Sequence, residues 1–96
     1  MLLPVRTAVL NYLYGVKSAD IDKIMENLKP LYGSEGQFTK KRFLDHVMSL
    51  EANGMIDMES YELDENQELS LIFRINDEGR KAVKRYIPKK YSQGER

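Results

Sequence analysis

Residues 39–83 read TKKRFLDHVMSLEANGMIDMESYELDENQELSLIFRINDEGRKAV, and the order of signals in this stretch sets the expected fold. Thr39 is a residue type that caps helix N-termini, and Phe38 and Phe43 have the spacing of a hydrophobic staple around it. Phe43, Val47 and Leu50 recur on one helical face. Gly54 then stops the helix, because glycine accepts the left-handed conformation that commonly follows a last turn. Two segments of alternating apolar residues come next, on either side of the polar tip Asp64-Glu65-Asn66-Gln67. The first starts at Met55-Ile56-Asp57-Met58; its phase slips near Ser60 before Tyr61 and Leu63, which predicts a bulge or bend. In the second, Leu69, Leu71, Phe73 and Ile75 alternate with Glu68, Ser70, Ile72 and Arg74. Asn76 or Asp77 caps a further helix with an apolar side of Ala82, Val83, Tyr86 and Ile87, and Pro88 ends it.

The residues before this stretch supply two more helices. Proline suits a first turn and glycine the position after a last one, so a helix is expected from about Pro4 to Tyr14, closed by Gly15. Val5, Ala8, Val9, Tyr12 and Leu13 form its stripe, with Tyr14 off it. A second helix is expected after Ser18 as N-cap, with Asp20 and Asp22 in its first turn, where the helix dipole favours acids. Its face is Ile21, Ile24, Met25 and Leu28, and Pro30 should end it near Lys29. Gly33 and Gly36 bracket a loop. A two-stranded hairpin is marginal alone, and so are three short helices, so each needs the other's apolar face. The expectation is an α+β fold in one domain over residues 1–88: three helices, a two-stranded hairpin and a short C-terminal helix, followed by a flexible basic tail over 89–96.

Composition narrows the function classes. The chain has 96 residues and no cysteine, which removes disulfides, thiolate metal sites and cysteine nucleophiles. That usage suits a reducing compartment, and the expected location is the cytoplasm. Met1-Leu2-Leu3-Pro4 is too short for a signal-peptide apolar region, and no window approaches a membrane span. The formal net charge is +0, which argues against strong non-specific adhesion to nucleic acid. The charge is unevenly spread, however. Residues 55–79 carry eight acids against Arg74, while residues 80–96 carry seven basic residues against Glu95.

Phe43-Leu44-Asp45-His46-Val47-Met48-Ser49-Leu50-Glu51-Ala52-Asn53-Gly54-Met55-Ile56 resembles the recognition-helix segment of PadR-type and MarR-type winged-helix regulators. Phe73-Arg74-Ile75-Asn76-Asp77-Glu78-Gly79-Arg80-Lys81-Ala82-Val83 resembles the wing exit of the same proteins. The resemblance covers about half the chain. It implies a winged helix-turn-helix that binds double-stranded DNA as a homodimer and regulates transcription. It implies no dimer mode, because Pro88 cuts off the long helix through which many such proteins pair.

On that reading helix 3 enters a major groove. With Phe43 facing the core, Lys41, Asp45 and Ala52 point most nearly outward, and Arg42, Met48 and Ser49 lie beside them. Lys40, Lys41 and Arg42 are placed to meet guanine or phosphate, and Asp45 to accept from cytosine or to pair with Lys41 and Arg42. Thr39 and Ser49 complete the helix 3 set, and Lys17, Ser18 and Gln37 are expected phosphate contacts. The hairpin breaks the pattern: Asp57, Glu59, Glu62, Asp64, Glu65 and Glu68 precede any base, whereas a wing that touches DNA offers Arg or Lys. The expectation is that it turns away from DNA or meets a protein partner, with the basic residues of helix 4 in a neighbouring subunit as a candidate. The alternative function is therefore a winged-helix protein–protein interaction or partition adaptor module. The lone His46 lacks a second ligand for a metal. No nucleophile–base spacing or phosphate-cradling loop is present, so neither catalysis nor a cofactor is expected.

Overall fold

In the computed structural model, which describes residues 2–34, 36 and 38–89, Pro4 stands extended just before α1 (Val5–Tyr14) and its carbonyl accepts the first helical bond, from the Ala8 amide at 2.9 Å. β1 (Ala19–Asp20), α2 (Ile21–Tyr32), α3 (Lys40–Ala52), β2 (Ile56–Leu63), β3 (Leu69–Ile75) and α4 (Asp77–Tyr86) follow. The fold is α+β, with four helices and an antiparallel sheet of order β1-β3-β2 among the described residues. α1 touches α2, α3, α4 and β3, which is why Ala8, Val9, Leu10, Asn11, Tyr12 and Leu13 are buried consecutively rather than as one stripe. Phe43, Phe73, Ile24, Ile56, Val47 and Val83 close the core around it.

The sheet differs from the sequence expectation. A two-stranded hairpin was expected, and a third strand is present because Ala19 and Asp20 pair with Phe73 and Ile72 on the free edge of β3. Taking these two residues into the sheet moves the helix start. Asp20, not Ser18, caps α2, its carboxylate accepting from the Lys23 amide at 2.7 Å. α2 also runs past its expected end, with Pro30 inside it. The amide that proline lacks would have bonded on an exposed face where water serves the freed carbonyl. Beyond it Tyr32 is buried, and its hydroxyl donates to the Leu3 carbonyl at 2.6 Å, which anchors the last turn. Residues 90–96 of the expected basic tail lie outside the described residues.

α3 and the hairpin follow their local signals. Thr39 caps α3, its hydroxyl accepting from the Arg42 amide at 3.2 Å, and the Phe38 and Phe43 rings meet edge-on at 5.0 Å. At the other end the Gly54 amide donates to Glu51 and the Met55 amide to Leu50. This is a Schellman motif, and Gly54 takes the left-handed φ of 77° that it requires. Glu59 is the extra residue of a bulge, since Met58 pairs with Phe73 and Ser60 with Ile72. Asp64 organises the tip, its carboxylate accepting from the Asn66 and Glu68 amides.

α4 is seated by a glycine. Asn76 caps it, accepting from the Gly79 amide at 2.9 Å, and the Asn76 amide donates to the Met55 carbonyl at 3.1 Å. Gly79 is buried against that same carbonyl: a Cβ there would collide with the Met55 oxygen and sit 2.6 Å from Ile75 Cγ1. Tyr86 departs from its expected place on the buried side of α4. It is 73% exposed, because Val83 and Ile87 already fill the space against α1 and Tyr86 lies at the rim of an open groove.

Gly79→Ala is expected to cost about 2–4 kcal/mol, as overpacking against backbone that cannot move aside. Gly54→Ala should cost roughly 1–2 kcal/mol, from the left-handed backbone alone. Gly36, whose Cβ would meet nothing within 4 Å, should tolerate alanine within about 0.5 kcal/mol. Urea denaturation of the three variants checks the order.

Candidate nucleic-acid interface

α3 packs against α1, α2 and β2 by one face and is open on the other. Phe43, Val47 and Leu50 are buried, whereas Lys40, Lys41, Arg42, Leu44, Asp45 and Met48 are exposed. The core therefore fixes the helix by its inner face and presents a mixed basic, acidic and apolar outer face.

The expected site residues divide by what already engages them. Thr39 spends its hydroxyl on the cap. Lys40 is not free: its Nζ lies 3.3 Å from an Asp22 carboxylate oxygen, tying the start of α3 to the first turn of α2. Both partners are more than half exposed, so the pair contributes little stability, but it turns the amine toward α2. Lys41 and Arg42 are exposed and make no ion pair among the described residues. The expected pairing of Asp45 with them is absent, and all three stand separately in solvent. Ser49 is half-buried, and its carbonyl accepts from the Asn53 amide and side chain at 3.0 Å. Lys17 is exposed between α1 and β1, with half-buried Ser18 beside it. Gln37 lies outside the described residues.

Arg6 was not among the expected site residues. Its Nε donates to His46 Nδ1 at 3.2 Å, linking α1 to α3 across forty positions of sequence. His46 also meets the Phe43 ring edge-on at 5.9 Å. No periodicity marks this pair, since Arg6 lies on the exposed side of its own helix. The bond requires neutral His46 with its proton on Nε2. Burial, then the Arg6 guanidinium, holds the imidazole below its ordinary value of 6.5; Asp45 opposes the shift and Arg42 adds to it.

Among the described residues no group of three or more His, Asp or Glu side chains could hold a metal ion, and no helix is long and apolar enough to cross a membrane. Compared with protein-family models, curated proteins and solved structures, the chain has no significant match.

His46 makes stability pH-dependent with a definite sign. Its folded pKa lies below its unfolded value, so between the two the unfolded chain binds more protons and stability rises with pH. The contribution is complete above the unfolded value near 6.5 and is lost as pH falls through it toward the folded one. His46→Asn, which keeps an acceptor for Arg6 without titrating, should remove this part of the dependence. Denaturation midpoints of the two proteins should diverge as pH falls from 8 to about 5; parallel curves would contradict the assignment.

Proposed function

We propose that the chain is a winged helix-turn-helix protein that binds double-stranded DNA through α3. In this reading α2 and α3 form the helix-turn-helix and β2–β3 the wing. The observation that carries it is the outer face of α3. Lys41 and Arg42 stand exposed in its first turn, without an ion pair among the described residues, on a helix locked from behind by Phe43, Val47 and Leu50. A major groove admits a helix presented this way, with its N-terminal residues reaching base edges. Positive charge in a first turn opposes the helix dipole, so its placement there favours an anionic partner over solubility alone.

Roles follow from engagement. Lys41 and Arg42 meet guanine or phosphate. Asp45 is free to accept from cytosine N4 but repels phosphate, so it restricts which sequences fit. Lys17 and Ser18 are phosphate contacts in this reading. Thr39 and Lys40 position α3 rather than reading bases. The protein acts as a homodimer, two copies of α3 entering successive major grooves about 34 Å apart, and regulates transcription in the cytoplasm without catalysis. The acidic hairpin takes no part in the DNA contact.

A second reading is favoured by one observation. Leu44 and Met48 are exposed on the same outer face of α3, and Leu44 and Leu69 line a hollow of about 190 Å³ between α3 and the hairpin. Such a face suits a protein partner, and in that case the module is an interaction or partition adaptor.

Selection of bound fragments from a genomic pool, followed by a gel shift at fixed salt, separates the two. DNA binding predicts that one sequence class is enriched. Lys41→Ala with Arg42→Ala should then weaken binding by tenfold or more and flatten the salt dependence by roughly two phosphate contacts, a slope change near 0.9 per contact. No enrichment, or unchanged affinity in the double variant, overturns the proposal.

A further inference from the structure

The hairpin has an apolar face longer than the core it was expected to cover. Cross-strand partners share a face, and the pairs Ile56–Ile75, Met58–Phe73, Tyr61–Leu71 and Leu63–Leu69 lie on one. Its root is buried at Ile56, Phe73 and Ile75. Farther out Tyr61 is 68% and Leu63 63% exposed, and Leu69 is also exposed. The bulge at Glu59 makes this so. Strict alternation from Ile56 and Met58 would place residues 60 and 62 on that face, and the inserted residue brings Tyr61 and Leu63 there instead. The face is thus kept apolar out to Tyr61 and Leu63, which are largely exposed. Six carboxylates lie on the same hairpin, from Asp57 to Glu68: Asp57, opposite Arg74, and Glu62, opposite Ser70, are on the other face, while Glu59 stands at the bulge and Asp64, Glu65 and Glu68 around the tip. The ion pairs among the described residues are Lys40–Asp22 and Lys81–Glu78, so none of these six is ion-paired with another described residue.

A complementary surface lies on the outer side of α4. Two adjoining hollows of about 500 and 260 Å³ share Asn53, Met55, Ala82 and Tyr86, and form one groove between α4, the end of α3 and the start of α1. Its cations are Arg6, Lys81 and Arg85; its one carboxylate, Glu78, pairs with Lys81 at 3.4 Å. The Tyr86 ring stands at the rim with the Arg85 guanidinium 6.0 Å from its centroid.

We propose that the homodimer is built by exchange: the distal hairpin of each copy lies in the α4 groove of the other. The proposal rests on the homodimer of the DNA-binding reading, and gives it an interface. Charge selects the occupant. Pairing two β2 edges across a two-fold axis would oppose carboxylates to carboxylates, and pairing two grooves would oppose cations to cations. Hairpin in groove alone places acids on bases and Tyr61 and Leu63 on apolar wall, with Tyr61 and Tyr86 as aromatic anchors. A standard interface takes about 800 Å² from each partner, and reciprocal exchange uses two separate surfaces of every copy to reach it. Neither Lys41 nor Arg42 belongs to either surface, so α3 stays available.

The test is the oligomeric state of the full chain in low salt without DNA, read by sedimentation equilibrium at tens of micromolar. The wild type should be a dimer. Glu59→Lys, Glu62→Lys, Glu65→Lys and Glu68→Lys together, which turn the hairpin's six acids into two acids and four bases, should be monomeric, and so should Lys81→Glu with Arg85→Glu; all six positions are exposed, and unchanged thermal unfolding shows that the variants fold. An equimolar mixture should dimerise again, because both exchanged contacts are then between opposite charges. A monomeric wild type, inverted variants that still dimerise, or a mixture that stays monomeric overturns the exchange. So does a ladder of species growing with concentration, which would put each hairpin on a third copy. Because DNA is absent, failure of DNA recognition alone leaves every one of these results unchanged.

Discussion

The Met55 carbonyl is the point on which three elements turn. The Met55 amide closes the Schellman end of α3 on Leu50, and its carbonyl accepts the Asn76 amide. Asn76 then ties the rest together: its side-chain nitrogen donates to the Gly54 carbonyl at 2.9 Å and lies 3.3 Å from an Asp57 carboxylate oxygen, while its oxygen caps α4 at Gly79. A side chain at residue 79 would occupy the place of the Met55 oxygen. The exit of α3, the root of the hairpin and the start of α4 are therefore one hydrogen-bonded junction. Each bond contributes about 1 kcal/mol on its own. Their shared geometry does more, because it fixes the hairpin and α4 relative to α3 without a long connection.

α1 completes what the junction begins. It lies against three helices and β3, and its Val9 and Leu13 share one buried core with Phe43, Val47 and Leu50 of α3, whose outer face is exposed. Three weaker ties set its rotation: the Phe38–Phe43 staple, the Lys40–Asp22 pair and the Arg6–His46 hydrogen bond. The ionic tie is exposed and so worth little in energy. Together the three direct Lys40 and Arg6 toward neighbouring helices and leave Lys41 and Arg42 without an ion pair among the described residues. On the proposed function, this partition of one basic run into a positioning residue and two reading residues depends on packing that no count of charge along the chain reveals.

What could be read from sequence was what local chemistry controls. The Thr39 cap, the staple, the left-handed Gly54, the bulge beside Ser60 and the Asn76 cap each depend on residues a few positions apart. The features that were not legible depend on partners far along the chain. Ala19 and Asp20 have no strand character of their own and pair only because β3 offers an edge. Pro30 reads as a stop, yet Tyr32, held by Leu3, carries the helix through it. The apolar stripe of α4 is regular in sequence, but α1 is wide enough to cover Val83 and Ile87 and not Tyr86. Of the candidate site, the exposure of Lys41, Arg42 and Asp45 followed from helical phase alone. The engagement of Lys40 by Asp22 and of His46 by Arg6 did not, because each joins two helices whose relative placement is a product of the whole core.

The neutrality of the chain conceals a separation that folding does not undo. The hairpin acids and the α4 bases are consecutive in sequence, but the junction at Met55 sends the two elements apart, and they make no mutual ion pair among the described residues. At physiological ionic strength charges more than about 8 Å apart are largely screened, so each patch acts locally on whatever approaches it. A DNA duplex brought to α3 would meet attraction from Lys41 and Arg42 and repulsion from any hairpin carboxylate that came close. The approach is thereby limited to orientations that keep the hairpin off the phosphates. Covering the hairpin's acids with the cations of a second copy would relieve that repulsion before DNA arrives. In that arrangement the acidic hairpin, which weakens the case for DNA contact in a single chain, becomes the element that sets the spacing of two α3 helices.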